Sequence, residues 1–565
     1  MPKASIIRGT FNAGELSPLM DGRTDVAKYN NGCKVCENFI PSVQGPAVRR
    51  PGTRFVGEVK NSSNRTWIIN FRFNVTQAFM LEFGDYYIRF YTNHGIVLSG
   101  GVPYEISTPY SIADLTNSDG CFNLGWVQSG DIVYLAHPSY PVYKLSRLGN
   151  TNWTMTAVDF KGGPFNEQNT DKTITVYASA VSGTVTLTAS SNIFTAAHVG
   201  SLFYLQPKDL SSIKPWYAGQ EWTTNPLNEK RRSDGKTYNC TTNGTPTAGK
   251  VWRTGASKPT HTYGIAADGD YSSRTGTVVE REGLDWQFVD VGYGYVKITG
   301  YTNATTVTAV VSGDYQLPAG VVGSGNATFR WAWGAFSAVQ GYPENVTFFR
   351  ERLTFSKGTK LYFSVSGDFE NFSPKDDTNQ VVADRAIQIQ LSSDHVDPIE
   401  WIVPSQALLI GTSETEFACS ESSTSQAFGP ANVKIEQQTS EGSRGVYPIT
   451  VGFSTLFVQR SGRKVKEMAY NFQQNGYVSA DMTVLSEHIT QSGIVSMDWH
   501  QEPYVALWAA RTDGTLLGFT FNKEQDVVGW HRHVVGGSGV VECVATMPNP
   551  DKTCDDLWLI VRRTI

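Results

Sequence analysis

Alternation of apolar and polar residues dominates this chain and predicts short β-strands along most of its length. Residues 79–83 alternate, Gly84-Asp85 follows as a turn, and residues 88–90 alternate again. Asp513-Gly514 separates two further alternating segments in the same way. An Asp and a Gly at the turn between apolar runs are a strong signal for a β-hairpin. Long stretches with the period of a helix are nearly absent, although a short helix could form over residues 107–115.

A unit of apolar strand, Gly-containing turn and apolar strand recurs along the chain. It appears around residues 78–98, 131–147, 352–372, 405–419, 454–472 and 503–530. Many short strands with such spacing are typical of a sandwich, a barrel or a propeller. The recurrence favours propeller blades, and a stack of independent sandwiches is the alternative. We therefore expect a mainly β protein with a discontinuous β-propeller-like body.

The patterning changes between residues 163 and 330, where Thr, Gly, Ala and Ser are abundant and blade-like units stop. The units resume near Phe348. We interpret this region as an insertion of one or two small β domains into the body. The predicted division is 1–60 for an N-terminal arm, 61–162 for the first part of the body, 163–330 for the insertion and 331–565 for the remainder of the body.

Charge and cysteine content narrow the classes of function. The chain has 565 residues, a net charge of -5 and seven cysteines. This charge argues against a protein that binds DNA by neutralising phosphates, but it does not exclude one past which DNA slides. An odd number of cysteines spread over a long chain is not a disulfide framework. No apolar run approaches the roughly 18 residues of a membrane span, so no membrane span is predicted.

Several short motifs resemble functional sites without their full set of residues. Gly244–Lys250 has the spacing of a phosphate-binding loop, but Val251 follows where Ser or Thr would hold magnesium, so a turn is the better interpretation. Cys33-Lys34-Val35-Cys36 has half the ligands of a zinc site, and His531-Arg532-His533 is read as a pair on an edge strand. We therefore predict no catalytic, metal-binding or cofactor-binding residues and a protein that is not an enzyme.

Aromatic residues of the inserted region leave two interpretations open. Trp216, Trp222 and Trp252 lie in a polar segment with many turns, and such rings could stack on sugars. The same rings could instead form the core of a small domain that has few other hydrophobic residues. The acidic run Asp268-Gly269-Asp270 lies in a predicted loop of the same region, with no sign of a catalytic pair of carboxylates.

The N-terminal arm has the most distinctive sequence. It begins with Phe11–Pro18 and ends with Val43–Thr53, and Gly and Pro interrupt it every few residues. We expect such a polar, turn-rich arm to need a partner to order it. In this arrangement it resembles the N-terminal arm of the tail nozzle proteins of short-tailed bacteriophages, also called tail tubular protein B. Further stretches similar to that family are Gly130–Pro138, Pro343–Phe355, Gly529–His533 and Asp556–Arg563.

The resemblance implies a structural role in a virion. Proteins of this family form a hexameric ring below the portal and adaptor, with a propeller-like body and inserts that build the nozzle tip or outer fins. The genome leaves through the central channel, and tail fibres or spikes attach nearby. Similar proteins usually continue beyond the position of Ile565, which leaves open whether a last strand or a C-terminal domain is missing here.

The resemblance also implies partners. The adaptor would bind the arm, with Glu15, Arg23, Asp25, Arg49 and Arg50 as candidate contacts, although Arg49 and Arg50 could equally be solvated. Double-stranded DNA would pass transiently and without sequence preference. The expected location is the virion tail, after synthesis in the cytoplasm of the host bacterium. The alternative function is a tail-associated β-propeller protein that binds or degrades polysaccharide.

Overall fold

The computed structural model describes residues 9–74, 77–209, 213–242, 251–269, 283–313, 315–376, 379–392, 396–551 and 553–564. Within these ranges the chain consists of β-strands and short 3-10 helices and contains no α-helix. The 3-10 helices are Pro18–Met20, Ala27–Asn31, Ala196–His198, Ala319–Val321, Ser324–Asn326 and Lys523–Gln525. The described part also contains no helix that is long and apolar enough to cross a membrane.

The arm and the first two sheets occupy residues 14–157. The arm contains β1 (Gly14–Glu15), β2 (Gly32–Cys33), β3 (Phe39–Pro41) and β4 (Ala47–Arg49). Sheet 1 contains β5 (Trp67–Asn74), β6 (Gln77–Gly84), β7 (Tyr87–Thr92) and β11 (Glu105–Ser107), with β8 (Gly95–Ile96), β9 (Leu98–Ser99) and β10 (Val102–Pro103) between β7 and β11. Sheet 2 contains β12 (Gly125–Ser129), β13 (Ile132–His137), β14 (Tyr140–Gly149) and β15 (Asn152–Ala157).

The inserted region forms sheets of its own. Six strands form its larger sheet, in the order β16-β17-β26-β25-β18-β27, and a four-stranded sheet, β20-β21-β24-β23, lies between β18 and β25 in sequence with the pair β19-β22. The strands are β16 (Val176–Ala178), β17 (Thr184–Ala189), β18 (Leu202–Leu205), β19 (Glu221–Trp222), β20 (Lys230–Ser233), β21 (Lys236–Cys240), β22 (Trp252–Arg253), β23 (Ile265–Ala267), β24 (Asp285–Asp290), β25 (Gly294–Asn303), β26 (Thr306–Ser312) and β27 (Trp331–Trp333).

Five further sheets complete the body. Sheet 3 contains β28 (Asn345–Phe349), β29 (Arg352–Lys357), β30 (Lys360–Phe363) and β31 (Ile387–Gln390); sheet 4 contains β32 (Ile399–Pro404), β33 (Leu408–Thr412), β34 (Glu416–Ser420) and β35 (Lys434–Thr439). Sheet 5 contains β36 (Ile449–Val451), β37 (Ser454–Val458), β38 (Val465–Asn471) and β39 (Gly476–Asp481). Sheet 6 contains β40 (Ile494–His500), β41 (Ala506–Arg511), β42 (Leu516–Asn522) and β43 (Val527–His533), and sheet 7 is the hairpin of β44 (Val540–Pro548) and β45 (Asp555–Arg562).

Seven sheets close into a propeller-like ring, because each one shares a hydrophobic core with the next. Aromatic contacts join most neighbours, with ring centroids 4.9 Å apart for Phe71 and Trp153, 6.1 Å for Tyr134 and Phe348, 5.3 Å for Phe349 and Phe428, 5.5 Å for Trp401 and Phe457, and 6.0 Å for Trp558 and Tyr91. Sheets 5, 6 and 7 share one cluster that includes Leu456, Leu507 and Val544. The expectation of a discontinuous propeller-like body with small inserted β domains is therefore confirmed.

Of the local predictions, the two hairpins are confirmed and the short helix is wrong. The hairpins around Gly84-Asp85 and Asp513-Gly514 are confirmed, since β6 pairs with β7 and β41 with β42. The helix over residues 107–115 is wrong: only a single turn forms there. Asp114 accepts hydrogen bonds from the backbone N–H and the hydroxyl of Ser111, and Ile112 donates its N–H to Asp85 instead of to a helical carbonyl. These side-chain bonds compete with a helical ladder.

Side chains of the first strands of the sheets occupy the middle of the ring. Trp126 of sheet 2 stacks on Tyr447, which precedes sheet 5, with ring centroids 4.9 Å apart. Asp498 on β40 accepts the N–H of Thr546 on β44 at 2.6 Å, and Arg72 on β5 donates to the carbonyl of Thr546. Since sheets 2 and 5 are not neighbours, the aromatic pair spans the interior of the ring.

Glu400 on β32 has an unusual acidity in this interior. Burial, with the carboxylates of Asp119, Glu344 and Asp397 nearby, raises the pKa of Glu400 to about 7. Removal from water and like charges both disfavour the ionised form. At neutral pH the folded chain therefore carries a partly protonated carboxyl here, and the cost of ionising this group opposes folding increasingly as the pH rises from about 4.5 to about 7.

Replacing Glu400 with Gln should remove a pH-dependent loss of stability. From a pH of about 4.5 to about 7 the unfolded chain loses the Glu400 proton while the folded chain retains it, so the wild type becomes less stable. We expect the free energy of unfolding in urea, measured as E400Q minus wild type, to be about 1–2 kcal/mol larger at about pH 8 than at about pH 4. The exposed residue Glu436 provides the control variant E436Q, and an equal difference at both pH values would contradict the expectation.

Candidate functional site: the docked arm and the inserted region

The arm is docked on sheet 6 of its own chain. Strand β1 pairs in parallel with β43, with Gly14 opposite Trp530, and with β2. A side chain at Gly14, which has φ +62°, would overlap the carbonyl oxygen of Trp530. A Cβ at Gly529 would lie 2.8 Å from the backbone nitrogen of Gly14. Only two glycines facing each other allow the arm to approach the strand this closely.

Glu15 anchors the arm through a buried carboxylate. It accepts the N–H of Cys36 at 2.7 Å, and it lies 3.0 Å from Nε2 of His488 and 3.4 Å from Nε of Arg532. The hydroxyl of Ser486 donates to the backbone carbonyl of Glu15. A buried carboxylate persists only with such partners, and these come from both the arm and the body. Glu15 is therefore used within the chain and is not offered to another protein.

The other four candidate contacts lie nearer the surface. Arg23 and Asp25 pair with each other at 2.8 Å, and both are exposed. Arg49 on β4 is exposed, whereas Arg50 is half-buried and donates to the carbonyls of Pro51 and Val534. Arg23, Asp25 and Arg49 thus remain accessible to a partner, and their role as adaptor contacts stays a prediction.

The expectation that the arm needs a partner to order it is corrected by these contacts, since sheet 6 is that partner. Further bonds fix the arm along residues 17–41: Ser17 donates its N–H to Leu485, Lys28 pairs with Asp526 at 2.7 Å, and Thr520 donates to the carbonyl of Pro41. The docking of the arm on sheet 6 could not be predicted from the sequence, because Gly14 and Gly529 are indistinguishable there from ordinary turn residues.

The cysteine and histidine motifs lie under or within the arm. Neither Cys33 nor Cys36 forms a disulfide. His531 and His533 are buried beside each other, with Nδ1 of His531 2.6 Å from Nε2 of His533. Burial lowers their pKa values to about 3 and about 2, so both rings stay neutral. The arm covers β43, so the histidines do not lie on an exposed edge; among the described residues no three His, Cys, Asp or Glu side chains form a metal site.

In the inserted region, one carboxylate organises the small sheet. Asp268 is fully buried and accepts four hydrogen bonds: from the indoles of Trp216 (2.8 Å) and Trp286 (2.7 Å) and from the backbone N–H groups of Gly255 (2.9 Å) and Leu284 (2.6 Å). This role could not be predicted, because the motif Asp268-Gly269-Asp270 is typical of a loop. The segment Gly244–Lys250, which the sequence predicts to be a turn, lies outside the described residues.

The three predicted stacking residues belong to the same unit. Trp222 and Trp252 lie opposite each other on β19 and β22, and with Trp216 they pack half-buried against a core that contains Tyr238. The guanidinium of Arg231 lies 5.1 Å from the ring of Trp222. These contacts give the rings a packing role, while sugar stacking stays a prediction.

A small cavity lies where the inserted region joins the body. Val158, Phe160, Lys297 and Gly334 are among its lining residues, and its volume is about 50 Å³. That space holds a water molecule or two but no sugar ring. It therefore offers no room for a polysaccharide substrate.

Gly529→Ala should release the arm while leaving the body folded. The added methyl group would collide with the backbone of Gly14, so the hydrogen bond from the N–H of Ser17 to the carbonyl of Leu485 in the body should break. We expect much faster amide hydrogen exchange in peptides covering residues 12–20 and little change in sheets 1 to 4. The matched control is Gly52→Ala, where a methyl group meets nothing. Unchanged exchange in G529A would contradict the proposed close fit.

Asp268→Ala should unfold the small sheet of the inserted region. The substitution leaves four buried donors without an acceptor, a loss of about 3 kcal/mol or more. We expect red-shifted tryptophan fluorescence and fast hydrogen exchange in β21 and β24. Asp159→Ala, at an exposed carboxylate, is the control. If D268A melted like the wild type, the carboxylate would not hold this unit together.

Comparisons with known proteins give one family match. The sequence model described as bacteriophage nozzle protein matches residues 337–521, which include sheets 3, 4 and 5 and the first three strands of sheet 6. No curated protein matches the chain.

Among solved structures, similarity is low. Apo AztD from Citrobacter koseri is 8% identical with a TM-score of 0.27 and covers 81% of this chain and 80% of its own. The Neurospora crassa Pan2 WD40 domain is 8% identical with a TM-score of 0.22, covering 66% and 100%, and Chaetomium thermophilum Raptor is 7% identical with a TM-score of 0.26, covering 80% and 29%. With TM-scores this low, these similarities say nothing about the function of this chain. The match over residues 337–521 confirms the resemblance of this chain to the bacteriophage nozzle proteins and supports a structural role in a phage tail.

Proposed function

We propose that six copies of this chain form the tail nozzle of a short-tailed phage, a ring whose central channel retains the genome and then releases it during ejection. The match of residues 337–521 to the nozzle family carries this proposal. Tail fibres or spikes would attach to the same assembly. The chain would act by shape and not by catalysis.

The channel must lie between copies and not within one of them. The stacked pair Trp126 and Tyr447 and the hydrogen-bonded group around Asp498 occupy the interior of the seven-sheet ring. A DNA duplex cannot pass side chains packed in this way without unfolding the sheets. A conduit built from this chain therefore needs several copies around a common axis, which a repeated heterologous contact produces.

The charge of the assembly favours passage over binding. Each chain carries -5, so six copies carry 6 × (-5) = -30. A wall of this sign does not retain phosphates, and DNA driven by the pressure of packaging would slide past it. Basic groups are concentrated locally on the arm instead.

We further propose that the arm binds the head-to-tail adaptor. Arg23, Asp25 and Arg49 are exposed on the docked arm, and Arg50 is half-buried beside Arg49 in the sequence. Glu15 is left out of this contact because it is buried. In this proposal the division into 1–60, 61–162, 163–330 and 331–565 separates the adaptor contact, the two parts of the body and an insertion that forms a nozzle tip or fin.

Electron microscopy and native mass spectrometry of the purified chain, alone and with its adaptor, test the proposal. We expect a six-fold annulus and six-subunit masses. The variant R23E/R49E should keep the ring and lose the adaptor. The variant R460E/R463E, which changes two exposed arginines in the turn between β37 and β38, should keep both. A chain that stays monomeric in both conditions would contradict the proposed function, and release of reducing sugars from capsule would favour the polysaccharide-degrading alternative.

A further inference from the structure

Three aromatic rings are exposed together at one end of sheet 5. Phe453, in the turn between β36 and β37, is 83% exposed, and Phe472, in the turn between β38 and β39, is 87% exposed. These two turns of a meander lie at the same end of the sheet. Because Ser454 pairs with Ala469, Phe453 lies beside Tyr470, which is also exposed. We call Phe453, Tyr470 and Phe472 the aromatic tip.

The two turns that carry the aromatic tip contain no charged residue. Its turns are completed by Gly452 and by residues 473–475, which are Gln, Gln and Asn. Exposed aromatic residues with few charges between them are typical of the core of a protein interface. The aromatic tip therefore fits an apolar protein surface better than an ionic one.

A second apolar feature projects from sheet 1. Among the described strands, β9 and β10 pair only with each other, and all residues from 98 to 103 are exposed. Leu98 lies beside Pro103 on one face of this hairpin and Val102 lies on the other. The hairpin is attached to the sheet through Val97, which donates its N–H to the carbonyl of Phe90. In an isolated copy the exposed side chains of Leu98 and Val102 leave apolar surface in contact with water, which is unfavourable.

The two features lie on nearly opposite sides of the ring. Sheets 2, 3 and 4 separate them in one direction, and sheets 6 and 7 in the other. They cannot meet within one copy. Neither feature contains a charged residue, so neither is suited to an acidic or basic partner. The aromatic tip offers flat rings, and the hairpin offers a narrow aliphatic surface that could pack against them.

We propose that the aromatic tip of one copy binds the β9-β10 hairpin of the next copy. A contact between two different patches on opposite sides of a subunit is heterologous, and its repetition builds a ring if the rotation closes. The inference rests on the proposed function, because it supplies the lateral contact of the nozzle ring. The partner is thus a second copy of this chain.

Photo-crosslinking in the assembled ring tests the pairing directly. Phe472→benzoylphenylalanine in the full-length chain should crosslink to a peptide that contains residues 98–103 of a neighbouring copy. The control is Tyr263→benzoylphenylalanine, since Tyr263 is 84% exposed in the inserted region. Crosslinks from position 472 to any other peptide would overturn the inference.

Charge substitutions test whether the contact is needed. F453D/F472D and L98D/V102D should each shift the mass from six-subunit rings to monomers, whereas Y263D should not. Thermal melts check that the variants are folded. Since substitutions at exposed positions change stability little, the melting temperatures should stay close to that of the wild type. Rings formed by both double variants would overturn the inference and leave the proposed function intact. A wild-type chain that is monomeric with and without its adaptor would instead contradict the proposed function, and the inference with it.

Discussion

Burial of both faces of every sheet is the constraint on which this structure depends. Central strands such as β33 and β41 are buried along nearly their whole length, so their sheets are apolar on both sides. A sheet of this kind cannot end a stack, because one face would stay in water. A closed ring gives each of the seven sheets two neighbours. Closure depends on β44, which lies between β40 of sheet 6 and β5 of sheet 1.

The arm resolves a second constraint, the free edge of sheet 6. An uncovered outer strand presents unpaired backbone groups to other chains. Strand β1 pairs with β43 at this edge, and the facing glycines Gly14 and Gly529 bring the two backbones together. The buried carboxylate of Glu15 then links the arm to Arg532 and His488. The arm is thus part of the fold of sheet 6 and also a surface that faces outward.

Local pairing could be predicted from the sequence, but contacts between distant segments could not. Asp513-Gly514 fixes a hairpin because a turn and its two strands are adjacent in the chain. A parallel pair of two residues, such as β1 with β43, has no local signal. Asp268 looked like a loop acid because its four donors come from residues up to 52 positions away. The short helix predicted over residues 107–115 failed because Asp85 and Asp114 captured backbone donors there.

Closure of the ring also limits how this chain can meet other proteins. The faces of the seven sheets are already buried, and the interior is occupied by Trp126 and Tyr447, so neither remains for a partner. Contacts with other proteins are therefore confined to the parts outside the blades: the arm, the inserted region and the turns at the ends of the sheets. Apolar residues exposed in turns, where blade packing does not need them, are therefore a stronger indication of assembly than apolar residues in strands.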